Sequence, residues 1–274
     1  MCIRDRRWAP SGLVTLLTDF GGRDAYVGIM KGVLYARAPE LRAVVDLTHE
    51  VPPQDVAAAS FHLAHAWRFF PAGTVHVAVV DPGVGSERPI LVARSGGHAF
   101  LAPDNGLLGP VLEQDAGDVE VRRLDVERFS LDRRSRTFHG RDVFAPAAAS
   151  LAAGLDPAEA GAPADAWERG VFPRPSVSAG AAAGVVISVD HFGNLVTNLG
   201  REHLHDLGGD SRGAALEAAG RRIPLLGTYA EARPGELLAL VDSYDLLEIS
   251  VREGSAAAAL GLGVGAPVQL VREP

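Results

Sequence analysis

Short apolar runs alternate with longer helical stretches in the first part of the chain, and this alternation constrains the fold most strongly. From residue 13 the order is strand, helix, strand, helix, strand, over Leu13–Thr18, Ala25–Arg37, Ala43–Leu47, Asp55–Phe69 and Thr74–Val80. Helices that connect successive strands favour parallel strand pairs with the helices packed on the sheet. We therefore predict an N-terminal α/β sandwich domain with a largely parallel sheet over residues 11–165.

The end of the chain has a different pattern. Residues 184–274 contain one helical turn near Ser255–Leu260 and short strand-like segments at Val185–Val189, Leu237–Val241, Leu246–Val251 and Val268–Val271. This pattern predicts a small all-β domain, either a sandwich or a barrel. A stretch rich in Ala, Gly and Pro over 166–183 predicts a linker. Residues 1–10 fit no period, and we interpret them as a leader or a sequence artefact outside the fold.

Charge and cysteine content exclude several classes of function. The chain has 26 Lys and Arg residues against 34 Asp and Glu residues, a net charge of −8, which argues against binding to nucleic acid. Cys2 is the single cysteine, so a disulfide framework and a Cys-x-x-Cys metal site are excluded. No apolar run approaches the roughly 20 residues of a membrane span. We expect a cytoplasmic protein that acts on a small molecule, with no metal and no membrane partner.

Two polar turns directly follow buried strands, where ligands bind in open α/β sheets. Asp19 lies in Thr-Asp-Phe-Gly; it either caps the next helix or accepts two hydrogen bonds from a ribose diol. Asp81 ends another strand, and Pro82 with two glycines makes a tight turn that lets a ligand approach the backbone. Arg88 starts the following strand, so it forms either a structural salt bridge with Asp81 or part of a functional cluster.

Two further segments carry candidates that are weaker by themselves. His139 precedes a predicted helix start; a lone histidine there favours a structural role unless it meets Asp81 and Arg88 in space. In the second domain, Asp190-His191-Phe192-Gly193-Asn194 follows a strand and is typical of a turn. In a functional interpretation, the Asn194 amide pairs with an adenine edge and Phe192 stacks on a flat ring.

Taken together, six segments in this order resemble the S-adenosyl-L-methionine (SAM) hydroxide adenosyltransferase family, the SAM hydrolases related to fluorinases and chlorinases. The segments are Leu17–Gly21, Val80–Gly85 with Arg88, Pro103–Leu108, Thr137–Pro146, Asp190–Asn198 and Asp242–Val251. The resemblance extends from Leu13 to Val271. It implies an α/β domain followed by a small β-barrel. It also implies a homotrimer, in which each active site lies between the first domain of one subunit and the second domain of its neighbour.

The resemblance also implies roles for individual residues. Asp81, Arg88 and His139 match the residues that activate a water molecule, and Asp19 matches the aspartate that binds the ribose. The contacts to adenine and methionine match Asp190, Phe192, Asn194, Ser243, Tyr244 and Glu248. The chain departs from the family pattern at Asp242 and Ser255, where relatives usually carry Asn.

The implied reaction is hydrolysis of SAM to adenosine and L-methionine, by attack of water on the ribose 5′ carbon, with no metal or organic cofactor. One alternative is a halogenase that uses chloride or fluoride. A carboxylate at position 81 repels a halide, and the halide-using relatives carry Tyr or another neutral residue there. The other alternative is a non-catalytic adenosine- or SAM-binding module, which would keep Asp19, Phe192 and Asn194 but has no need for the three water-activating residues together.

Overall fold

The computed structural model describes residues 8–114, 119–132, 134–170, 172–178, 180–207 and 213–272. The chain divides into two compact units, Met1–Val171 and Phe172–Pro274. No helix among the described residues is long and apolar enough to cross a membrane. Cys2, together with the rest of 1–7, lies outside the described residues.

The first unit is built on a mixed, largely parallel sheet. Its strands in the described residues are β1 (Leu13–Thr18), β2 (Ala43–Thr48), β3 (Val75–Val79), β4 (Ile90–Ser95), β5 (His98–Pro103), β6 (Glu120–Leu124) and β7 (Gly161–Pro163). Their spatial order is β2-β1-β3-β5-β4-β6-β7. The pairs β2–β1, β1–β3 and β3–β5 are parallel, whereas β4 pairs antiparallel with β5 and β6. The turns after β1 and β3 therefore lie side by side at one edge of the sheet.

Helices cover both faces of this sheet. They are α1 (Tyr26–Arg37), α2 (Val56–Ala66), α3 (Gly109–Glu113), α4 (Val126–Phe129) and α5 (Ala145–Ala152). Successive side chains of a strand point to opposite faces, so Leu16 and Leu17 of β1 enter different cores. Leu16 shares a core with Met30 of α1, and Leu17 shares the other with Leu63 of α2. Burial on both faces explains why β1 and β3 are mostly apolar, with Thr15 and His76 as buried polar exceptions.

The second unit is an antiparallel sheet that nearly closes into a barrel. Its strands in the described residues are β8 (Ser176–Ser178), β9 (Ala181–Val189), β10 (Leu195–Gly200), β11 (Ala214–Ala218), β12 (Arg221–Pro224), β13 (Leu237–Val241), β14 (Leu246–Val251) and β15 (Pro267–Arg272), with short helices α6 (Arg201–Asp206) and α7 (Ala256–Leu260). The spatial order is β12-β11-β15-β9-β10-β14-β13, and β8 pairs with β9. Leu225, just after β12, forms a bridge with Ala239 of β13, which joins the two ends of this order.

The predicted fold class is confirmed, since an α/β unit with a largely parallel sheet precedes a small barrel-like unit. Three of the apolar runs, Leu13–Thr18, Leu237–Val241 and Leu246–Val251, are strands with the predicted bounds. The helical stretch predicted over Asp55–Phe69 ends as an α-helix at Ala66 and continues as one 3₁₀ turn.

Two stretches differ from the sequence-based expectation. Residues 166–183, predicted as a linker, include β8 and the first residues of β9, because Ser176–Ser178 pairs with the start of that long strand. Trp8, in the stretch predicted to lie outside the fold, donates from Nε1 to the Leu151 carbonyl at 2.9 Å. Its ring packs against the core shared by α1 and α5, so the chain joins the fold before residue 11.

Candidate active site

A cavity of about 500 Å³ opens at the carboxyl ends of β1 and β3. Three of the four candidates in the first unit line it, namely Asp19, Asp81 and His139. Gln54, from the connection between β2 and α2, and Tyr26, at the start of α1, complete much of the wall. The parallel order of the strands brings these residues together, because the turns after neighbouring parallel strands emerge at the same edge.

Asp81 and Arg88 face each other across the turn that follows β3. Arg88 Nε donates to Asp81 Oδ1 at 2.7 Å, and the second terminal nitrogen of Arg88 donates to Oδ2. The Asp81 side chain is only 5% exposed. Gly85 makes the return possible: its φ is +83°, and a Cβ there would lie 2.7 Å from the Arg136 carbonyl oxygen. The turn therefore requires glycine to bring Arg88 back to Asp81.

His139 completes a cluster of three functional groups. The Arg88 nitrogen that binds Asp81 also lies 3.4 Å from His139 Nδ1. A guanidinium only donates, so we assign Nδ1 as the acceptor and place the ring proton on Nε2. Burial lowers the pKa of His139 below its usual value, and the nearby Arg88 lowers it further, although Asp81 opposes both. The imidazole is therefore neutral at pH 7.

The backbone places His139 at the start of a wide helical turn. A π-helical segment, Gly140–Phe144, follows it and leads directly into α5. A Cβ on Gly140 would lie 3.0 Å from Met30 Sδ and 3.2 to 3.3 Å from the rings of Phe20 and Phe138. Glycine thus allows the helix to approach the aromatic wall of the cavity closely enough to bring His139 to Arg88.

The aromatic wall itself consists of Phe20, Tyr26 and Phe138. Their ring centroids lie 5.8 Å apart for Phe20 and Tyr26, 6.0 Å for Phe20 and Phe138, and 5.0 Å for Tyr26 and Phe138. Tilted and edge-to-face contacts at these distances are favourable. The three rings give the cavity an apolar part of its lining beside the carboxylates of Asp19 and Asp81.

Asp19 lies on the turn after β1, where its side chain accepts a hydrogen bond from the Gln54 backbone. The distance from Gln54 N to Asp19 Oδ2 is 2.8 Å. Gln54 has a φ of +67°, which is uncommon for a residue with a side chain. Gln54 was not predictable from the sequence, because neither a period nor a motif marks a residue that acts through its backbone N–H.

Asn105 belongs to a segment of the resemblance that carried no assigned role. Its Nδ2 donates to the Val80 carbonyl at 2.9 Å, and its Oδ1 accepts from Leu107 N at 3.3 Å. Val80 immediately precedes Asp81, so Asn105 fixes the backbone from which the catalytic candidate projects. Side-chain bonds of this kind leave no periodic signal in the sequence.

In the second unit, Asp190 holds its own loop. Its Oδ1 accepts from the backbone N of Phe192 at 2.9 Å and of Asn194 at 2.8 Å. Its Oδ2 accepts from Asn194 Nδ2 at 2.8 Å. These bonds support the turn interpretation of this segment, and they orient the buried Asn194 side chain. Phe192 projects from the same loop and is 72% exposed.

The remaining candidates lie on or beside the β13–β14 hairpin. Ser243 and Tyr244 are exposed on its turn, and Tyr244 N donates to Asp242 Oδ1 at 2.7 Å. Glu248 is buried on β14, where its Oε1 accepts from Tyr229 Oη at 2.8 Å. Burial raises the pKa of Glu248, and the neighbouring Asp190 and Asp242 raise it further.

Tyr229 was not found from the sequence, because it lies between the segments of the resemblance. Burial raises the pKa of Tyr229 well above its usual value, and the neighbouring Glu248 adds to this rise. The tyrosine is therefore a neutral donor at physiological pH. No group of three or more His, Cys, Asp or Glu side chains in the described part of the chain is arranged to hold a metal ion.

The comparisons with known proteins agree across both units. A family model described as the SAM hydroxide adenosyltransferase N-terminal domain matches residues 14–161, and the corresponding C-terminal domain matches residues 184–269. A Thermus thermophilus protein named (R)-S-adenosyl-L-methionine hydrolase is 40% identical, with 94% of this chain and 99% of that protein covered. A Salinispora arenicola protein of the same name is 38% identical, covering 92% and 95%.

More distant relatives and solved structures complete the comparison. A fluorinase from an Actinoplanes species is 28% identical, with 95% of this chain and 97% of that protein covered. A crystal structure of an uncharacterized conserved protein from Thermotoga maritima matches with a TM-score of 0.88 and 34% identity, covering 94% of this chain and all of the other. A conserved hypothetical protein from Thermus thermophilus matches with a TM-score of 0.75 and 38% identity, covering 94% and 99%.

Proposed function

The chain belongs to the SAM hydroxide adenosyltransferase family, and we propose that it hydrolyses SAM to adenosine and L-methionine. The observation that carries this proposal is the cluster of Asp81, Arg88 and His139, in which Asp81 and His139 line the cavity of the first unit and Arg88 contacts both. A cluster of an anionic acceptor, a fixed cation and a neutral imidazole suits the positioning of one water molecule. The similarity to hydrolases along nearly the whole chain supports the same reaction.

The reaction is a displacement at the 5′ carbon of the ribose. The water oxygen forms a bond to this carbon while the bond from carbon to sulfur breaks, and its electron pair stays on sulfur. Methionine leaves as a neutral thioether, so no acid is needed at the leaving group. The water loses one proton, which Asp81 accepts and passes to solvent. No metal or organic cofactor takes part in this scheme.

The three residues have separate tasks in this mechanism. Asp81 accepts a hydrogen bond from the water and orients its lone pair toward the 5′ carbon. Arg88 holds the carboxylate in one plane through two donors and stabilises the negative charge that develops on the attacking oxygen. His139 uses Nδ1 as the acceptor from Arg88, which leaves the Nε2 proton to fix the position of the water. Positioning of this kind contributes several kcal/mol by itself.

In the proposed substrate complex, Asp19 accepts hydrogen bonds from the ribose diol. Phe192 stacks on the adenine, Asn194 pairs with its edge, and Asp190 holds their loop. Ser243, Tyr244 and Glu248 bind the methionine end together with the Asp242 turn.

We further propose that these groups come from two subunits of a homotrimer. The residues that line the cavity all belong to the first unit, whereas the proposed adenine and methionine contacts belong to the second. A mixing experiment tests the arrangement. Inactive Asp81→Asn and Phe192→Ala proteins, unfolded and refolded together, should regain activity because some mixed trimers carry one intact site. No recovery in co-refolded trimers would contradict shared sites.

A halogenase is the competing reaction. A halide would have to enter a site whose wall holds the Asp81 carboxylate, and like charges in a poorly solvated site repel by several kcal/mol. Purified protein incubated with SAM, with and without chloride, distinguishes the two reactions by mass spectrometry. We expect adenosine and methionine in equal amounts under both conditions. Formation of 5′-chloroadenosine would overturn the hydrolase proposal, and tight SAM binding without any product would favour a binding module.

The proposal keeps the cytoplasmic location favoured by the sequence, which cell fractionation tests.

A further inference from the structure

His49 makes hydrogen bonds on both sides of Asp19, the carboxylate in the turn after β1. It follows β2, and its carbonyl accepts a hydrogen bond from Gly21 N at 2.8 Å. Its ring Nδ1 lies 2.9 Å from Thr18 Oγ1. Thr18 and Gly21 flank Asp19 on either side, so one histidine holds the backbone before and after this carboxylate.

The Thr18 hydroxyl connects the His49 ring to the peptide group that follows Asp19. The Thr18 side chain is fully buried, and its Oγ1 accepts from Phe20 N at 3.2 Å. The N–H of Phe20 belongs to the peptide that Asp19 forms with the next residue. A hydroxyl that accepts from Phe20 while donating to His49 has a single orientation, so both bonds together fix this peptide.

Asp46 lies beside the other ring nitrogen of His49. His49 Nε2 lies 2.9 Å from Asp46 Oδ1, and Lys31 Nζ lies 2.6 Å from Asp46 Oδ2. Burial raises the pKa of Asp46, but the contacts with Lys31 and His49 outweigh it and keep this pKa below its usual value. Nε2 lies beside this carboxylate without making a hydrogen bond. Because Thr18 Oγ1 already accepts from Phe20 N, we assign its proton to the contact with His49, with Nδ1 as the acceptor and the ring proton on Nε2.

We propose that His49 is a positioning residue for ribose recognition: through Thr18 and Gly21 it holds Asp19 in the orientation that accepts both ribose hydroxyls. The inference rests on the proposed function, in which Asp19 binds the diol. Gln54 N also donates to Asp19 Oδ2. A small rotation of the turn would therefore move the carboxylate out of the orientation that the ribose hydroxyls require. Removal of the His49 contact should weaken binding of the ribose diol and should have little effect on the attacking water near Asp81.

A matched pair of variants distinguishes the contributions of the two ring nitrogens of His49. In His49→Asn the side-chain amide reaches the position of Nδ1, whereas in His49→Gln it reaches the position of Nε2. Calorimetry measures the binding of adenosine and of 2′,3′-dideoxyadenosine to each protein, and their ratio is the diol preference. We expect His49→Gln to lose about tenfold of this preference, since a hydrogen bond to a charged group is disturbed. His49→Asn should retain most of it.

Thr18→Val provides an independent test, because it removes the hydroxyl with little change in volume. It should reduce the diol preference as His49→Gln does, with a raised KM for SAM and a kcat within about threefold of wild type. Asp156→Asn changes a helix cap outside this network and serves as the control. Thermal unfolding verifies that each variant is folded.

The outcomes separate this inference from the proposed function. If His49→Gln and Thr18→Val both keep the wild-type diol preference, the positioning role is wrong, even in a protein that hydrolyses SAM. A wild-type protein that prefers the diol and loses this preference in His49→Gln supports the role, even if SAM proves not to be hydrolysed. A wild-type protein with no diol preference overturns the inference.

Discussion

Arg88 binds both carboxylate oxygens of Asp81 and shares one of the same nitrogens with His139, 3.4 Å from Nδ1. The paired donors hold the carboxylate in one plane, which a single contact would not do. From the sequence alone, a purely structural salt bridge between Asp81 and Arg88 was as consistent with the pattern as a functional cluster. The third contact, and the cavity in front of it, favour the functional interpretation.

Replacing Asp81 by Asn should lower kcat by about 10² to 10⁴-fold, the usual loss when a general base is removed. The amide keeps the size of the side chain but cannot take up the proton, so SAM should still bind. Stopped assays for adenosine release and calorimetry with SAM measure the two effects. Asp156→Asn is the control, because Asp156 only caps a short helix, through a bond to Ala158 N. Unchanged turnover in Asp81→Asn would remove this residue from the mechanism.

Replacing Arg88 by Lys should lower kcat although the positive charge remains. Lysine carries its donors on a single nitrogen and lacks the planar fork, so it cannot hold both oxygens of Asp81 and reach His139 at once. We expect a loss of about ten- to a hundredfold, the equivalent of one or two charge-assisted hydrogen bonds. In a double-mutant cycle, Asp81→Asn and Arg88→Lys should be strongly non-additive. Additive losses would show that the two side chains act independently.

Acidification should destabilise the protein through His76. This buried histidine contacts Thr15 Oγ1 through Nδ1 at 2.8 Å and His98 through Nε2 at 3.1 Å. Burial, reinforced by His98, lowers the pKa of His76 to about 3. The unfolded chain, with an ordinary histidine pKa of about 6.5, binds this proton first, so stability falls as the pH drops from about 6.5 toward 3.

The expected loss through His76 between pH 7 and pH 5 is about 2 kcal/mol. Urea unfolding of wild type and His76→Gln at both pH values isolates it, because all other titrating groups are common to the two proteins. The wild type should lose more stability than the variant on acidification. Equal losses of stability in the two proteins would show that groups other than His76 cause the acid sensitivity.

Replacing Gly140 by Ala should destabilise the first unit by about 1–3 kcal/mol, the usual cost of overpacking. The added methyl would crowd Met30 and the aromatic wall of the cavity, and we expect weaker SAM binding as well. Gly32→Ala is the matched control, since nothing lies within 4 Å of its Cβ position in α1. There, alanine should be neutral or stabilising by up to about 1 kcal/mol. Denaturant midpoints of both variants test the contrast.

The elements that were predictable from the sequence are those with mostly apolar runs. β1, β13 and β14 are buried on at least one face along their whole length, so their composition alone marks them. β6 contains adjacent arginines at 122 and 123, and β12 contains another pair at 221 and 222. Charged side chains on such short strands remove the apolar signal.

The candidate site was predictable where strand ends carry polar turns. Asp19 and Asp81 are in that position, and the order of the parallel strands brings them together. His49 and Gln54 act through one backbone group or one ring nitrogen, so nothing in a single sequence distinguishes them from loop residues. Asp190 shows the converse: its carboxylate matches a ligand contact in the sequence, and in the fold it holds the loop that presents Phe192 and Asn194.

The central claim, that water held by Asp81 attacks the 5′ carbon directly, is tested most directly by a single turnover in ¹⁸O water with enzyme in excess over SAM. Direct attack predicts one ¹⁸O atom in the 5′ hydroxyl of every adenosine formed and none in the protein. The alternative is attack by the Asp81 carboxylate itself, followed by hydrolysis of the resulting ester at its carbonyl carbon. Adenosine with an unlabelled 5′ oxygen, together with ¹⁸O in Asp81, would contradict the account.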